Sequence, residues 1–164
     1  MWDDGELEEV ERLLRRDVRN NSAWNHRWFL VFGRYEGPKG SNDDQAMAVV
    51  PADIWQREMD YAKDAIRMAP QNESPWNYLR GLIKKSTKDF SDLASFAEEF
   101  AGLQEGSKVR SSHALDVLAS AYADQERKDD AVRALELLAD KYDPIRANYW
   151  NYRKTLLEQQ SAGA

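Results

Sequence analysis

Three sets of side chains in this sequence have types that could do chemistry. The first is the adjacent acids Asp43-Asp44, Glu98-Glu99 and Asp129-Asp130. On charged helices such pairs read as solvated charge patterning, not as general acid/base pairs. The second is His26 and His113, far apart in sequence and so no basis for a His-rich metal site. His113 reads as a surface or capping residue. The third is a set of Asn, Trp and Arg residues that recurs at fixed spacing. There is no cysteine, which excludes a disulfide framework and any thiolate metal site in this chain. Glycines sit in turns without a P-loop lysine, and neither HExxH nor GxSxG occurs.

The recurring set runs from Asp17 to Arg27 and again from Ala69 to Arg80. Aligned on Trp24 and Trp76, the copies share Asn20/Asn72, Ser22/Ser74 and Asn25/Asn77. A weaker third copy, Asp143 to Arg153, keeps Trp150-Asn151 and Arg153, an Arg three residues after the Trp as in Arg27. Self-similarity of this kind implies stacked helical hairpins. Each Trp would lie early in the second helix of a hairpin and pack back on the first, its N–H seeking one acceptor. Ser22 and Ser74 are expected as N-caps, their hydroxyls accepting from orphan amides of the next helix. Pro75 suits a first helical position. Pro70 and Pro144 should stop the preceding helices.

The elements that position these residues follow from apolar spacing. Eight helices are expected, near 6–16, 23–34, 51–68, 74–85, 89–103, 111–124, 128–141 and 145–159. The first carries Leu7, Val10, Leu13 and Leu14 on one stripe, with acids at its start and Arg15 and Arg16 at its end, as the helix dipole favours. Trp24, Trp28 and Val31 form a face of the second, extended by Phe29 and Phe32; Trp28 could also face a partner. Ile54, Tyr61, Ala65 and Met68 mark the third; Trp76, Leu79, Leu82 and Ile83 the fourth. Tyr149, Tyr152 and Leu156 are expected to mark the buried side of the last. Residues 36–44 read as a surface loop from their Gly, Pro, Asn and Asp content. No stretch alternates with a period of two for long enough to suggest a strand. The fold class expected is all-α, a right-handed alpha-alpha superhelix of about four antiparallel hairpins.

The chain has 164 residues, 42% hydrophobic and 32% charged, which suits one domain or one block of a solenoid. Its formal net charge of −6 argues against a nucleic-acid footprint. No apolar run approaches the roughly 20 residues that span a bilayer. The acidic first residues are unlike a signal or transit peptide, so a cytoplasmic location is expected.

The constellation resembles the repeat of protein prenyltransferase alpha subunits, roughly Asn-x-x-x-Trp-x-x-Arg at a hairpin junction. Asn20, Trp24 and Arg27 fit in full. Asn72 and Trp76 fit, with Arg80 one residue late. Trp150 and Arg153 fit, with Arg146 where the Asn belongs. The stretches 2–25, 70–79 and 145–150 are similar to the farnesyltransferase and type I geranylgeranyltransferase alpha subunit in particular. The similarity covers nearly the whole chain and is weakest between Lys84 and Lys141. Only Met1 precedes a segment that already reads as the first helix of a hairpin, whereas a solenoid needs polar caps. The chain is therefore expected to be the C-terminal portion of a longer alpha subunit, a repeat domain at 1–160 with a frayed tail at 161–164.

The resemblance implies an enzyme subunit. In the family a crescent of alpha-subunit hairpins wraps a beta subunit. That beta subunit holds zinc, the isoprenoid diphosphate and most of the CaaX-protein substrate. Zinc activates the substrate cysteine as a thiolate, which attacks the first carbon of the isoprenoid and forms a thioether. The family's lysine directed at the diphosphate precedes Asn-Tyr, and no Lys-Asn-Tyr occurs here. Asn20 is then the candidate nearest the diphosphate, with Asn21 and Trp24 in support. Arg27 is expected to hold the motif loop or face the beta subunit. Asn72, Trp76, Trp150 and Arg153 are structural. No cofactor is expected on this chain; zinc, with magnesium as an optional second ion, belongs to the complete heterodimer. The chain alone is expected to be inactive. Two alternatives are a tetratricopeptide-like adaptor and the Rab geranylgeranyltransferase alpha subunit. The Trp spacings of 52 (24 to 76) and 74 (76 to 150) do not suit the adaptor's period of about 34.

Overall fold

The computed structural model describes residues 4–17, 20–33, 50–86 and 88–162. Its contacts divide the chain into two compact units, 1–87 and 88–164. Every regular element among the described residues is helical. The loop expected at 36–44 lies outside them.

In the first unit α1 (Asp4–Arg16) pairs with α2 (Asn21–Phe32), and α3 (Ala52–Met68) pairs with α4 (Glu73–Lys85). α2 also packs on α4. The core takes Val10 and Leu14 from α1, and Trp24, Leu30, Val31 and Phe32 from α2. Trp55, Met59, Ala62 and Ile66 come from α3, and Trp76, Leu79, Leu82 and Ile83 from α4. Each large apolar side chain moved from water contributes about 1.5–3 kcal/mol. The rings interlock: Phe32 stacks on Trp55 at 4.9 Å, and Trp24 meets Tyr78 at 5.0 Å.

The expected caps are displaced by two residues. Asn20, not Ser22, caps α2, its Oδ1 accepting from the Ala23 amide at 3.1 Å. Asn72, not Ser74, caps α4, accepting from the Ser74 amide at 3.3 Å. Asn is as good a cap as Ser, and here it holds the extended backbone a cap requires. Pro75 therefore stands at the third helical position, where its missing N–H is still no loss. On α3 the buried stripe runs through Trp55, Glu58, Met59, Ala62, Ala65 and Ile66. Met68, expected inside, is 75% exposed at the last turn.

In the second unit a 3-10 turn (Phe90–Leu93) leads into a short α5 (Ala94–Glu98). α6 (Ser112–Asp124), α7 (Lys128–Leu137) and α8 (Ala147–Ala162) follow, α7 packing on both α6 and α8. Asp89 and Asp92 form a reciprocal capping box on the 3-10 turn. Burial and a bond to Glu98 push the Tyr122 hydroxyl up to about 12.

The helix expected over 89–103 ends early. Past Glu98 the chain turns, and the Arg110 amide bonds back to Phe100 at 2.7 Å. Gly106 has φ +85 in this turn, a conformation that favours glycine. The helix expected over 128–141 widens into a π turn at Leu138–Tyr142, closed by Asp143 N–H on Leu138 O at 2.8 Å. A 3-10 turn at Pro144–Arg146 then starts α8.

The face expected to bury α8 is reversed. Tyr149, Tyr152 and Leu156 are exposed, and Ile145 is 97% exposed. The helix packs through Trp150, with Arg153 and Leu157 half-buried. A hydrophobic stripe on a helix does not by itself say which side has a neighbour.

Candidate functional site: the repeat motif and the cleft beside it

The motif splits into an inward and an outward half. Trp24, Trp76 and Trp150 are each at most 2% exposed. Two of the indoles bond back onto the turn that precedes their helix. Trp76 Nε1 donates to Pro70 O at 2.8 Å and Trp150 Nε1 to Asp143 Oδ2 at 3.0 Å. Each motif Trp thereby buries a large apolar area, and these two clamp the hairpin turn as well.

Arg27, three residues after Trp24, also points inward and is 1% exposed. Its Nε and Nη2 donate to Glu58 Oε1 and Oε2 at 2.6 and 2.8 Å, and Nη1 donates to Glu11 at 3.0 Å. The guanidinium lies 3.6 Å from the Tyr61 ring centroid. Tyr78 OH donates to Glu58 Oε1 at 2.7 Å, and Arg57 reaches Oε2 at 3.0 Å. One arginine thus joins α1, α2 and α3, and Tyr78 brings in α4. Burial alone would lower the Arg27 pKa and raise that of Glu58, but the paired opposite charge and its hydrogen bonds reverse both. Tyr78 is pushed well up, by burial first and by the Glu58 charge second. Both carboxylate and guanidinium are therefore ionised in the folded protein.

Arg153 repeats the device in the second unit. It pairs with Asp116 on α6, donates to Ser120 Oγ at 3.1 Å, and lies near the Trp150 ring. Of the two roles expected for Arg27, holding the motif fits its geometry. A partner-facing role does not, because its own helices enclose it. Trp24 is likewise enclosed by α2, α3 and α4 through Tyr61 and Tyr78. Asn20 is half-buried at its cap, and Asn21 is exposed beside it.

Sequence reasoning passed over Glu58 and Asp116. A signal was present. Glu58 stands at the core phase of α3, three residues after Trp55 and four before Ala62, where a lone charge implies a buried partner. Asp116 sits in the same way among Ala114, Leu115, Val117 and Leu118.

The outward half lines a cleft of about 360 Å³ between α2 and α4. Its floor is aromatic, with Trp24, Trp28 and Tyr78. Its rim carries the amides of Asn21, Asn25 and Asn77, with Lys84 and Lys85 at one end. Trp28 packs against Tyr78 at 5.7 Å. A Cβ on Gly81 would lie 3.6 Å from the Trp28 ring. Trp24 meets Tyr78 and Trp28 meets Gly81, so the two helices advance in the same direction. Among the described residues, no carboxylate lines the cleft. Among the described residues, no three His, Cys, Asp or Glu side chains converge as metal ligands, so the zinc implied by the resemblance has no fitting donor set in them. No helix among them is long and apolar enough to cross a membrane.

The model of the protein prenyltransferase alpha subunit repeat matches residues 3–33 and 55–86, the two hairpins of the first unit. The protein farnesyltransferase/geranylgeranyltransferase type-1 subunit alpha of Dictyostelium discoideum is 32% identical over 161 residues, covering 95% of this chain and 45% of its own length. The Candida albicans protein of the same name is 40% identical over 96 residues, 58% of this chain and 31% of its own. That of Pisum sativum is 32% identical, covering 96% and 50%. Among solved structures, a Candida albicans protein geranylgeranyltransferase-I complexed with GGPP matches with a TM-score of 0.81 and 35% identity, over 94% of this chain and 47% of that one. The chain spans about half the length, or less, of the curated relatives it matches. Two family repeats, each an asparagine-capped hairpin closed by a buried Trp, and a solved relative that follows nearly the whole chain lead to one assignment: the chain belongs to the protein prenyltransferase alpha subunit repeat family.

Proposed function

We propose that this chain is part of the alpha subunit of a protein farnesyltransferase/geranylgeranyltransferase type I. It acts as the helical scaffold of a heterodimer that attaches an isoprenoid, through a thioether, to a C-terminal CaaX cysteine. The observation that carries this reading is the match at 35% identity and TM-score 0.81 to the geranylgeranyltransferase-I chain, over 94% of this one. The relatives' shared name points the same way. The partner is a beta subunit, which supplies the zinc ligands and most of the isoprenoid and peptide site. The chain's own residues supply rigidity: Arg27, Glu58 and the motif tryptophans fix the helices whose outer residues meet that partner. The chain alone is then inactive, and the enzyme acts in the cytoplasm.

Asn20 stays the candidate nearest the diphosphate. Its Oδ1 is engaged in the cap, so any contact with a phosphate oxygen would come from its amide nitrogen. In an assembled heterodimer, Asn20→Asp should slow single turnover while leaving assembly intact, because a carboxylate there opposes charge building on the leaving group. Full single-turnover activity in a stable Asn20→Asp heterodimer removes Asn20 from the site.

The reading is tested by a chimera. This chain replaces the matched half of the Dictyostelium discoideum relative, and the hybrid is expressed with that relative's beta subunit. Transfer of an isoprenoid to a CaaX peptide is expected. A folded hybrid that binds the beta subunit but transfers nothing contradicts the reading. A tetratricopeptide-like adaptor is less well supported, since the motif tryptophans do not follow its period.

A further inference from the structure

The outward half of the motif does more than the scaffold reading requires. Asn21 and Asn25 stand one helical turn apart on α2, about 6 Å between side-chain origins. That is close to the two-residue repeat of an extended chain, about 6.7 Å. Asn77 lies across the cleft at the position equivalent to Asn25 in the second copy. An amide side chain both donates and accepts, as a peptide group does. Asn77 also donates one long bond, 3.3 Å, to Glu73 on its own helix. Gly81 leaves the Trp28 ring uncovered between the two rows, a trough for an apolar side chain. Lys84 and Lys85, both exposed, close one end, and among the described residues that line the cleft there is no acid beside them.

We propose that this cleft holds an extended segment of a partner polypeptide. Its backbone lies on Asn21, Asn25 and Asn77, an apolar side chain enters the trough over Trp28 and Gly81, and an acidic side chain pairs with Lys84 and Lys85. Main-chain contacts supply affinity, and the trough and the lysines supply selection, the division of labour seen where extended peptides are bound. The proposal stands on the cleft and does not depend on the prenyltransferase reading.

The test uses the full chain and a fluorescein-labelled peptide, acetyl-Ser-Glu-Ser-Leu-Ser-Glu-Ser-amide, whose palindromic sequence removes the question of direction. Binding is read by anisotropy at about 0.15 M salt, where unspecific attraction is screened. Saturable binding is expected. The Lys84→Ala/Lys85→Ala and Asn25→Ala/Asn77→Ala double variants should each weaken it by about tenfold or more, one order per 1.4 kcal/mol of lost contact. Gly81→Leu, which fills the trough, should abolish it. All altered side chains but Gly81 are exposed, so melting curves should match the parent for the lysine and asparagine variants. Should Gly81→Leu melt early, Gly81→Ala takes its place: its Cβ makes only ordinary contact with Trp28 yet narrows the trough. Four results overturn the proposal: no saturable binding, equal binding of the peptide with lysines for glutamates, displacement by inorganic pyrophosphate alone, or binding unchanged in the lysine variant.

Discussion

Arg27 and Glu58, 31 residues apart, meet as a two-pronged ion pair at 2.6 and 2.8 Å, with side chains 1% and 0% exposed. The pair joins the first hairpin to the second. Losing one partner leaves a buried charge uncompensated, so Arg27→Ala or Glu58→Ala should each cost roughly 3–5 kcal/mol. Replacing both, as Arg27→Met with Glu58→Leu, should cost less than either single change. Chemical denaturation of the three variants measures this; additive losses would show that the two residues do not act as a unit.

The same pair sets a pH dependence. The folded pKa of Glu58 lies below its ordinary value of 4.5, because Arg27 and Tyr78 outweigh its burial. A depressed carboxyl contributes stability that is present above its unfolded pKa and lost as pH falls through the folded one. Tyr78 has the opposite sign: raised above 10.0, it contributes below that pH and loses the contribution as pH rises through its folded value. The thermal midpoint of Glu58→Gln should therefore lie furthest below the parent near neutral pH, and the gap should close on acidification below about 4. A gap that stays constant from neutral pH to strong acid would contradict this.

Asn20 and Asn72 are caps, and their substitutions should behave as such. Asn20→Ala should cost about 0.5–2 kcal/mol. Asn20→Asp keeps the acceptor and adds a charge favoured at a helix start, so its stability should stay within about 0.5 kcal/mol of the parent. Urea unfolding of both variants checks the order; an aspartate as damaging as the alanine would remove the cap from the account.

Two aromatic residues of the repeat regions should separate cleanly. Trp76, 1% exposed and bonded to the Pro70 carbonyl, should cost roughly 3–5 kcal/mol as Trp76→Ala. Tyr152, 60% exposed on α8, should change stability by less than about 0.5 kcal/mol as Tyr152→Ser. Thermal shifts of similar size in the two would refute the assignment of faces.

Much of this was legible in the sequence. Apolar spacing placed the eight helices of the described residues, though α5 and α7 end earlier than it suggests, and the repeat marked Trp24, Trp76 and Trp150 as the packing centres. What stayed hidden depended on neighbours. Ser22 and Ser74 read as the caps in place of Asn20 and Asn72, because Ser and Asn serve equally well there and stand two residues apart. The exposed face of α8 looked buried, since Tyr149, Tyr152 and Leu156 keep helical spacing whether or not a neighbour covers them. Glu58 and Asp116 passed unread, because their partners lie 31 and 37 residues away and only the apolar phase around each pointed to burial. The cleft needed α2 and α4 side by side, which no single motif states.

The central claim is that this chain is part of the scaffold subunit of a heterodimer. Co-expression with a beta subunit of a farnesyltransferase or type I geranylgeranyltransferase, purification through a tag on that beta subunit, and light scattering of the eluted species test it most directly. A one-to-one complex is expected, with the chain alone giving no transfer when zinc and isoprenoid diphosphate are supplied. A chain that folds, stays apart from every such beta subunit, or transfers the isoprenoid by itself would contradict the account.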